Sequence, residues 1–201
     1  MPKTICLAFT GASGMPYGLR LLECLLAAGC KVQLLYSQAA QVVAKQELEF
    51  ELSSRPSEAR TALLQRYAAV NPEKLAVFGR EEWFAPVASG SNPPDAMVVC
   101  PCSMGTLAAI AQGLADKLIE RAADVVLKEG RKLVLVPRET PFSAIHLENM
   151  LRLSRAGAVI LPPNPGFYHH PKSVEDIVDF VVARILDQLA VPHQLMKRWG
   201  E

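Results

Sequence analysis

The 201-residue sequence predicts an α/β fold, a three-layer sandwich with helices on both faces of a mainly parallel sheet. Short, uninterrupted runs of Val, Ile and Leu alternate with helical patterns, which is typical of parallel strands buried on both faces. The first run leads directly into a glycine-rich turn at 10–14 (TGASG) that can cradle a phosphate. Because the sequence has no internal repeat and no linker, a single domain spanning 1–201 is expected.

The first half of the chain supplies two clear strand–helix pairs. Residues 3–9 and 31–36 (KVQLLY) are predicted strands. A helix over about 16–28 follows the first strand, with Gly29 as its C-cap, and a second helix runs into 47–51. Residues 53–94 are less regular, and there we predict one helix near 57–68 followed by a Pro/Ser/Gly-rich loop at 86–94.

The second half repeats the same alternation. Buried strands are predicted at 96–100 (AMVVC), 132–136 (KLVLV) and 158–161 (AVIL). Helices are predicted at 107–129, 142–156 and 174–189. Ser173 and Asp176 have the spacing of a capping box at the start of the last helix.

Charge and composition exclude some classes of partner. Lys and Arg total 21 against 20 acidic residues, a formal net charge of +1, which argues against a nucleic-acid partner. No apolar run approaches the roughly 20 residues of a membrane span and no signal region begins the chain, so a cytoplasmic protein without a membrane segment is expected. Half of the residues are hydrophobic, which favours burial of some surface against further copies of the chain.

The five cysteines do not indicate a disulfide framework, because their number is odd and their spacing irregular. They are expected to be small buried thiols. Cys102 is the exception to watch, because it borders a polar loop. His169 and His170 lack further metal-ligand spacing, so no metal site is expected.

In a parallel sheet, ligands bind beyond the carboxyl ends of the strands. Gly11 and Gly14 allow an anion to approach the backbone there, although a tight turn without a ligand would use the same residues. A nicotinamide dinucleotide requires an acid after the second strand, where this chain has Ser37. A second polar cradle, with Ser103 and Thr106 at a predicted helix start, suits a mononucleotide better.

Several charged residues extend this edge of the predicted sheet. Arg138 and Glu139 follow a buried strand directly, where a lone surface pair is less expected. Arg121 and Lys128 are a heptad apart on one helix and, taken alone, indicate a solvated face. Arg184 falls on the i, i+4, i+7 stripe of Ile177 and Val181, so burial is predicted, with either a structural carboxylate or a phosphate as its partner.

Taken together, several motifs resemble the UbiX-type flavin prenyltransferases. They are Gly11-Ala12-Ser13-Gly14-x-x-Tyr17-Gly18, Cys100-Pro101-Cys102-Ser103-x-Gly105-Thr106, Ile119-Glu120-Arg121-Ala122-Ala123-Asp124, Pro137-Arg138-Glu139-x-Pro141 and Pro165-Gly166-Phe167-Tyr168. The resemblance covers the chain from the first strand to the C-terminal tail. It implies a Rossmann-like (flavodoxin-like) enzyme, typically a homododecamer, that joins reduced FMN to dimethylallyl phosphate and supplies prenylated FMN to UbiD-type decarboxylases, as in ubiquinone synthesis.

The resemblance also implies roles for individual residues. The implied FMN contacts are Gly11, Ala12, Ser13, Ser37, Ser103, Met104, Gly105, Thr106 and Arg138. The implied contacts of dimethylallyl phosphate are Tyr168, Arg184, Lys128 and Arg121, with Trp83, Tyr168 and Trp199 as an aromatic cage for its prenyl group. Glu139, Glu47 and Ser13 are the implied catalytic groups, although Glu49 competes with Glu47. The tail at about 190–201 is expected to pack at the site or against a neighbouring subunit.

These residue types suit the implied reaction. Positive charge develops on the prenyl carbon as the phosphate departs, so cations would stabilise the leaving group without metal, and aromatic faces would stabilise the carbon. Glu139 would protonate the phosphate and then remove the C6 proton of the flavin.

Two alternatives remain. A flavin-dependent cysteine decarboxylase of the same fold uses an upstream histidine and a Pro-Ala-Ser-Ala-Asn-type loop, whereas the first histidine here is His146. The other is a flavin-binding regulatory protein without catalysis, which would have no need of Glu139, Lys128 and Arg184 together.

Overall fold

The computed structural model describes residues 2–67, 70–197 and 200. In this part of the chain one sheet contains β1 (Thr4–Phe9), β2 (Lys31–Tyr36), β3 (Leu75–Val77), β4 (Ala96–Cys102), β5 (Lys132–Pro137) and β6 (Val159–Ile160). All neighbouring strands are parallel, in the order β3-β2-β1-β4-β5-β6. The predicted Rossmann-like sandwich with a parallel sheet is therefore confirmed, and the chain reverses direction across the sheet between β1 and β4.

Helices connect the strands and cover both faces of the sheet. They are α1 (Met15–Ala27), α2 (Gln38–Leu48), α3 (Pro56–Arg66), α4 (Met104–Ala111), α5 (Leu118–Lys128), α6 (Ala144–Arg155) and α7 (Val174–Leu189), with short 3-10 helices at Pro72–Lys74 and Pro86–Ala88. None of the helices in the described ranges is long and apolar enough to cross a membrane.

The alternation of side chains along β1 separates the core into two clusters. Ile5, Leu7 and Phe9 pack on one face with residues of α1, α2, α3 and α7. Cys6 and Ala8 point to the other face, where α4, α5 and α6 pack. The central strands β1, β4 and β5 therefore bury both of their faces, which explains their uninterrupted apolar sequences.

Local signals set the ends of most helices. Gly29 adopts φ 80 just beyond α1, as its predicted role as a C-cap requires. The predicted capping box of α7 is also present, since the Ser173 Oγ accepts a hydrogen bond from Asp176 N and the Asp176 carboxylate accepts one from Ser173 N.

Two expectations about the elements are wrong. The helix predicted over 107–129 is divided into α4 and α5, because Gly113 adopts φ 71 directly after α4 and ends it. A new start follows at Lys117, whose backbone N–H donates to the Glu120 carboxylate at 3.2 Å. β3 was not predicted from the sequence, because it has only three residues; it hydrogen-bonds to the edge of β2.

Candidate active site

The predicted ligand-binding residues follow the carboxyl ends of four adjacent strands. In the order β2, β1, β4 and β5, these ends carry Ser37, the turn at 10–14, the segment 103–106, and the pair Arg138 and Glu139. Because neighbouring strands lie about 4.8 Å apart, the four ends span about 14 Å. The sheet therefore places these residues in one row along a single edge.

Two cavities lie on this row. One, of about 570 Å³, is lined by Ser37, Ala39, Thr106 and residues 116–120. The other, of about 440 Å³, is lined by Ser13, Tyr17, Arg138, Glu139 and Asn164, among others. Both volumes fall within the range of about 300–1,000 Å³ typical of small-molecule sites.

Thr10, which was not among the predicted site residues, joins the two central loops of the row. Its buried hydroxyl donates to the Pro101 carbonyl at 2.7 Å and accepts from Ser103 N at 2.8 Å. The Arg138 N–H in turn donates to the Cys102 carbonyl at 3.2 Å. These hydrogen bonds hold the ends of β1, β4 and β5 in register. The position of a threonine at the end of a predicted strand is the sequence signal that could have identified Thr10.

The N-termini of α2 and α4 face the same row. The Ser37 Oγ accepts from Ala40 N at 3.1 Å and the Ser103 Oγ accepts from Thr106 N at 3.3 Å, so both serines cap their helices. The Ser103 hydroxyl also donates to the Thr106 hydroxyl at 3.1 Å. Two helix starts with positive dipole ends suit the phosphate and the polar ring edge of a mononucleotide such as FMN.

Glu47 places a carboxylate of the chain itself at the glycine turn, where an anion was expected to approach the backbone. Its carboxylate accepts from Gly14 N at 3.0 and 3.1 Å and from Met15 N at 2.8 Å. The last turn of α2 brings it there. The alternative residue, Glu49, is exposed with φ 52 at the end of α2, so Glu47 is the acid that reaches the turn.

Ser13 and Glu139 line the smaller cavity together with Arg138. Ser13 and Arg138 are exposed, while Glu139 is half-buried and accepts from Thr140 N at 3.1 Å. Tyr17 lines the same cavity, and burial raises the pKa of its hydroxyl, so it stays protonated at neutral pH. This cavity therefore combines a carboxylate, a guanidinium and two hydroxyls.

Tyr168 lies in the loop before α7, and Arg184 lies on the helix itself. The Tyr168 ring packs edge-on against Phe180 of α7 with centroids 5.8 Å apart, and Arg184 follows Phe180 by four residues, about one helical turn. The predicted burial of Arg184 is wrong, since its side chain is 52% exposed. The buried stripe runs through Val178, Val182 and Leu186, on the opposite side of the helix, and the partner of Arg184 is the carboxylate of Asp187.

Arg121 and Lys128 lie on α5, which covers the opposite face of the sheet from α7. The Arg121 Nε donates to the Ala88 carbonyl at 3.0 Å, and its Nη1 pairs with Asp124 at 2.9 Å. The Lys128 Nζ pairs with Glu129 at 2.7 Å at the end of α5, next to the start of β5. One subunit therefore does not bring these two cations together with Tyr168 and Arg184.

The predicted aromatic cage is not assembled within one subunit. Trp83 is 45% exposed and follows β3, whereas Tyr168 is 54% exposed and follows β6, at the opposite edge of the sheet. The third member, Trp199, lies outside the described residues.

The cysteines behave as buried thiols. Cys102 is fully buried, and burial raises the pKa of its thiol to about 12, so the expectation of an unusual role at the polar loop is not supported. Cys24 is half-buried, with its pKa raised to about 11 mainly by burial. Across the described ranges, no group of three or more His, Cys, Asp or Glu side chains is arranged to hold a metal ion.

A matched pair of glycine substitutions tests whether this row binds a ligand. A methyl group at Gly11 would overlap the Ala39 side chain, whereas one at Gly105 in α4 meets no atom within 4 Å. We expect G11A to lower the free energy of unfolding by about 1–3 kcal/mol and to weaken FMN binding. G105A is expected to stabilise the unliganded protein by about 0.5–1 kcal/mol yet still weaken FMN binding, because the added methyl occupies the face open to the ligand.

Thermal unfolding and flavin fluorescence titration measure the two effects separately. Unchanged FMN affinity in G105A would show that the flavin does not pack against the first turn of α4.

Comparison with known proteins identifies the family of this chain. A sequence model of the flavoprotein family matches residues 1–186. The chain is 58% identical over 200 residues to the flavin prenyltransferase UbiX of Pseudomonas aeruginosa, covering 100% of this chain and 95% of that protein. The crystal structure of AnUbiX (PadA1) in complex with FMN and dimethylallyl pyrophosphate superposes with a TM-score of 0.88 at 42% identity, covering 100% of this chain and 99% of that one.

Two further solved structures show how far the similarity extends. A dodecameric FMN-dependent UbiX-like decarboxylase from Escherichia coli O157:H7 superposes with a TM-score of 0.86 at 43% identity, covering 98% of this chain and 100% of that one. The FMN-dependent cysteine decarboxylase TvaF from thioviridamide biosynthesis superposes with a TM-score of 0.60 at 20% identity, covering 94% of this chain and 98% of that one, which shows a shared fold alone.

Proposed function

The chain belongs to the UbiX-type flavin prenyltransferases of the flavoprotein family, and from this premise we propose that it transfers the dimethylallyl group of dimethylallyl phosphate to reduced FMN and releases phosphate. The observation that carries the proposal is the row of polar residues along the ends of β2, β1, β4 and β5. A mononucleotide that follows this row meets two capped helix N-termini and reaches Glu139 at the far end.

The residues present fit FMN. The residues that would hold it are Gly11, Ala12, Ser13, Ser37, Ser103, Met104, Gly105, Thr106 and Arg138. The Gly11 backbone lies too close to Ala39 for any side chain, so the turn and the start of α2 form one continuous wall. The N-termini of α2 and α4 favour negative charge, and the hydroxyls between them suit the polar edge of a ring.

When bound, the reduced flavin supplies the nucleophilic N5 and the C6 carbon that take up the dimethylallyl group. Glu139 is half-buried at the cavity beside Ser13. In this position its carboxyl group can donate a proton to the departing phosphate and then accept one from the ring carbon. Glu47, whose carboxylate accepts from the N–H of Gly14 next to Ser13 in the chain, is proposed as the second acid.

The phosphate of the substrate requires cations, and their distribution favours an oligomeric site. Tyr168 packs on α7 and Arg184 belongs to it, while Arg121 and Lys128 lie on α5, across the sheet. Lys128 is at the edge where β5 begins, opposite to the edge that carries Glu139. We propose that neighbouring subunits of a homo-oligomer unite these groups around the phosphate.

Exposed apolar side chains support this assembly. Phe84 is fully exposed, and Ile145, Phe167 and Val174 are each more than 60% exposed. Side chains of this kind on several sides of one subunit indicate surfaces that are covered by further copies. A dodecamer, like the E. coli relative, would also allow Trp83 and Tyr168 of different subunits to meet.

The biological setting follows from the proposed product. A prenylated flavin is a cofactor, so we propose that a UbiD-type decarboxylase receives it, with ubiquinone synthesis as the pathway. The five free thiols support a reducing compartment, and we propose the cytoplasm.

Mass spectrometry of the flavin tests the transferase activity directly. We expect purified protein with FMN, dithionite and dimethylallyl phosphate under anaerobic conditions to yield a flavin heavier by one five-carbon unit, with release of inorganic phosphate. Dimethylallyl pyrophosphate in a parallel reaction establishes which of the two esters is used.

The same assay separates the alternatives. A flavin of unchanged mass together with carbon dioxide released from a cysteine-terminated peptide would favour the cysteine decarboxylase. Bound flavin without either product would favour a regulatory protein.

A further inference from the structure

A chain of hydrogen bonds runs from the C-terminal tail to Arg184. The Leu195 N–H donates to His193 Nδ1 at 3.4 Å, and His193 Nε2 lies 3.1 Å from Asp187 Oδ1. The other oxygen of that carboxylate, Oδ2, accepts from Arg184 Nη1. Each hydrogen bond in this chain therefore restrains the orientation of the next side chain.

The first bond decides where the proton of His193 resides. Because Nδ1 accepts the backbone N–H, the neutral ring carries its proton on Nε2. Nε2 then donates to Asp187, which leaves Oδ2 aimed at the guanidinium. This arrangement orients an arginine in the way that a carboxylate orients a catalytic histidine, through a partner that does not itself contact the substrate.

The tail that supplies His193 is anchored to the body of the protein. Val191 is buried, and Leu195 and Met196 pack against the core cluster that contains α1 and α7. The Lys3 Nζ donates to the Leu189 and Ala190 carbonyls at 2.6 and 2.9 Å, which fixes the end of α7. The side chain of His193 is only 14% exposed, so the ring is held on a rigid support.

This anchoring distinguishes Asp187 from an ordinary surface carboxylate. Arg55 and Glu58 also form an i, i+3 pair, but their side chains are 77% and 51% exposed. Glu58 is also held on both oxygens, since its Oε2 accepts from the Ser53 hydroxyl at 2.7 Å, but so exposed a pair restrains an arginine only weakly. Asp187 is 33% exposed, and its second oxygen is held by a histidine that is itself largely buried, so it restrains Arg184 more strongly.

We infer that Asp187 and His193 are positioning residues for Arg184, which they hold in place for the phosphate of dimethylallyl phosphate. The inference rests on the proposed function, in which Arg184 contacts that phosphate. An arginine held in place loses less conformational freedom when its ligand binds, so this support lowers the KM for the phosphate substrate.

Steady-state kinetics of the full-length oligomer test the inference. In D187N we expect the KM for dimethylallyl phosphate to rise about 3- to 10-fold, with kcat and the dissociation constant for FMN little changed. The matched control is E58Q, which breaks the same type of pair on α3 and should leave all three constants unaltered. A KM that stays the same or falls in D187N would overturn the inference, since Asp187 would then be a bystander or a competitor for the guanidinium.

Two substitutions of His193 test the relay without removing the carboxylate. The amide of H193Q can donate to Asp187 as Nε2 does, whereas H193L cannot. We expect H193L to raise the KM as D187N does and H193Q to restore much of it, and equal values in the two variants would exclude a role for the donated bond. Light scattering establishes that each variant keeps its oligomeric state.

R184A separates a failure of the inference from a failure of the proposed function. We expect R184A to raise the KM about 10- to 100-fold and D187N to add nothing in that background. If R184A raises the KM and D187N does not, the relay is refuted while the role of Arg184 stands. If R184A itself leaves the KM unchanged, the assignment of Arg184 to the phosphate is wrong, and the inference falls with it.

Discussion

Replacing Glu139 by Gln is expected to lower kcat about 100- to 10,000-fold, with FMN binding largely retained. The structure supports this separation, because Glu139 is half-buried in the cavity that Ser13 and Arg138 also line. The amide oxygen of Gln can still accept from Thr140 N, as Glu139 Oε1 does at 3.1 Å. The loop therefore keeps its shape while the group that carries the proton is lost.

The measurement is single-turnover formation of the prenylated flavin, followed by mass and absorbance. Glu148, an exposed residue of α6, supplies the control E148Q, which removes one negative charge without touching the cavity. Turnover of E139Q equal to that of E148Q would show that Glu139 does not transfer the proton. A matched loss of FMN affinity would instead indicate a role in flavin binding.

The elements that the sequence predicted well are those whose signal is local. β2 and α7 have the predicted bounds, because an uninterrupted apolar run defines the first and a capping box begins the second. The row of site residues was also predictable, since parallel strands bring their carboxyl ends to one edge whatever their order. Only the order of the strands, which contacts between distant residues determine, shows that Ser37 and Glu139 lie at the two ends of that row.

The errors come from features that a single stretch of sequence does not contain. Arg184 shares a helical stripe with Ile177 and Val181, but the width of the buried face depends on how α7 packs against α1. The break between α4 and α5 did have a local signal, Gly113, which the long apolar pattern around it obscured. The separation of Lys128 from Tyr168 is a property of the layers and could not be read from spacing.

The contact between Glu47 and the glycine turn joins residues far apart in the sequence and could not be predicted from local patterns. Glu47 is 33 residues from Gly14, yet its carboxylate holds the turn by three bonds to Gly14 N and Met15 N. The resemblance to the UbiX-type enzymes implies catalysis at this position, and the contacts of the carboxylate add a structural role. The two roles predict different consequences for different substitutions.

We expect E47Q to lower kcat about 10- to 100-fold while lowering the free energy of unfolding by only about 1 kcal/mol. The Gln side chain retains one oxygen that can accept from the turn, but it has lost the charge that favours the N-terminus of α1 and can no longer accept a proton. E47A, which leaves part-buried N–H groups without an acceptor, should cost about 1–3 kcal/mol and weaken FMN binding as well.

The neighbouring acid provides the control that decides between the roles. Glu49 is exposed at the end of α2, two residues further along, so E49Q removes the same charge from the same region and should change neither turnover nor stability. Stopped-flow kinetics and denaturant unfolding of the three variants then give a clear pattern. If E47Q unfolds more readily but turns over like E49Q, Glu47 only shapes the turn, and Glu139 performs both proposed proton transfers without a second acid. If E47Q is slow and E47A is both slow and unstable, one carboxylate builds the flavin turn and takes part in the chemistry beside it.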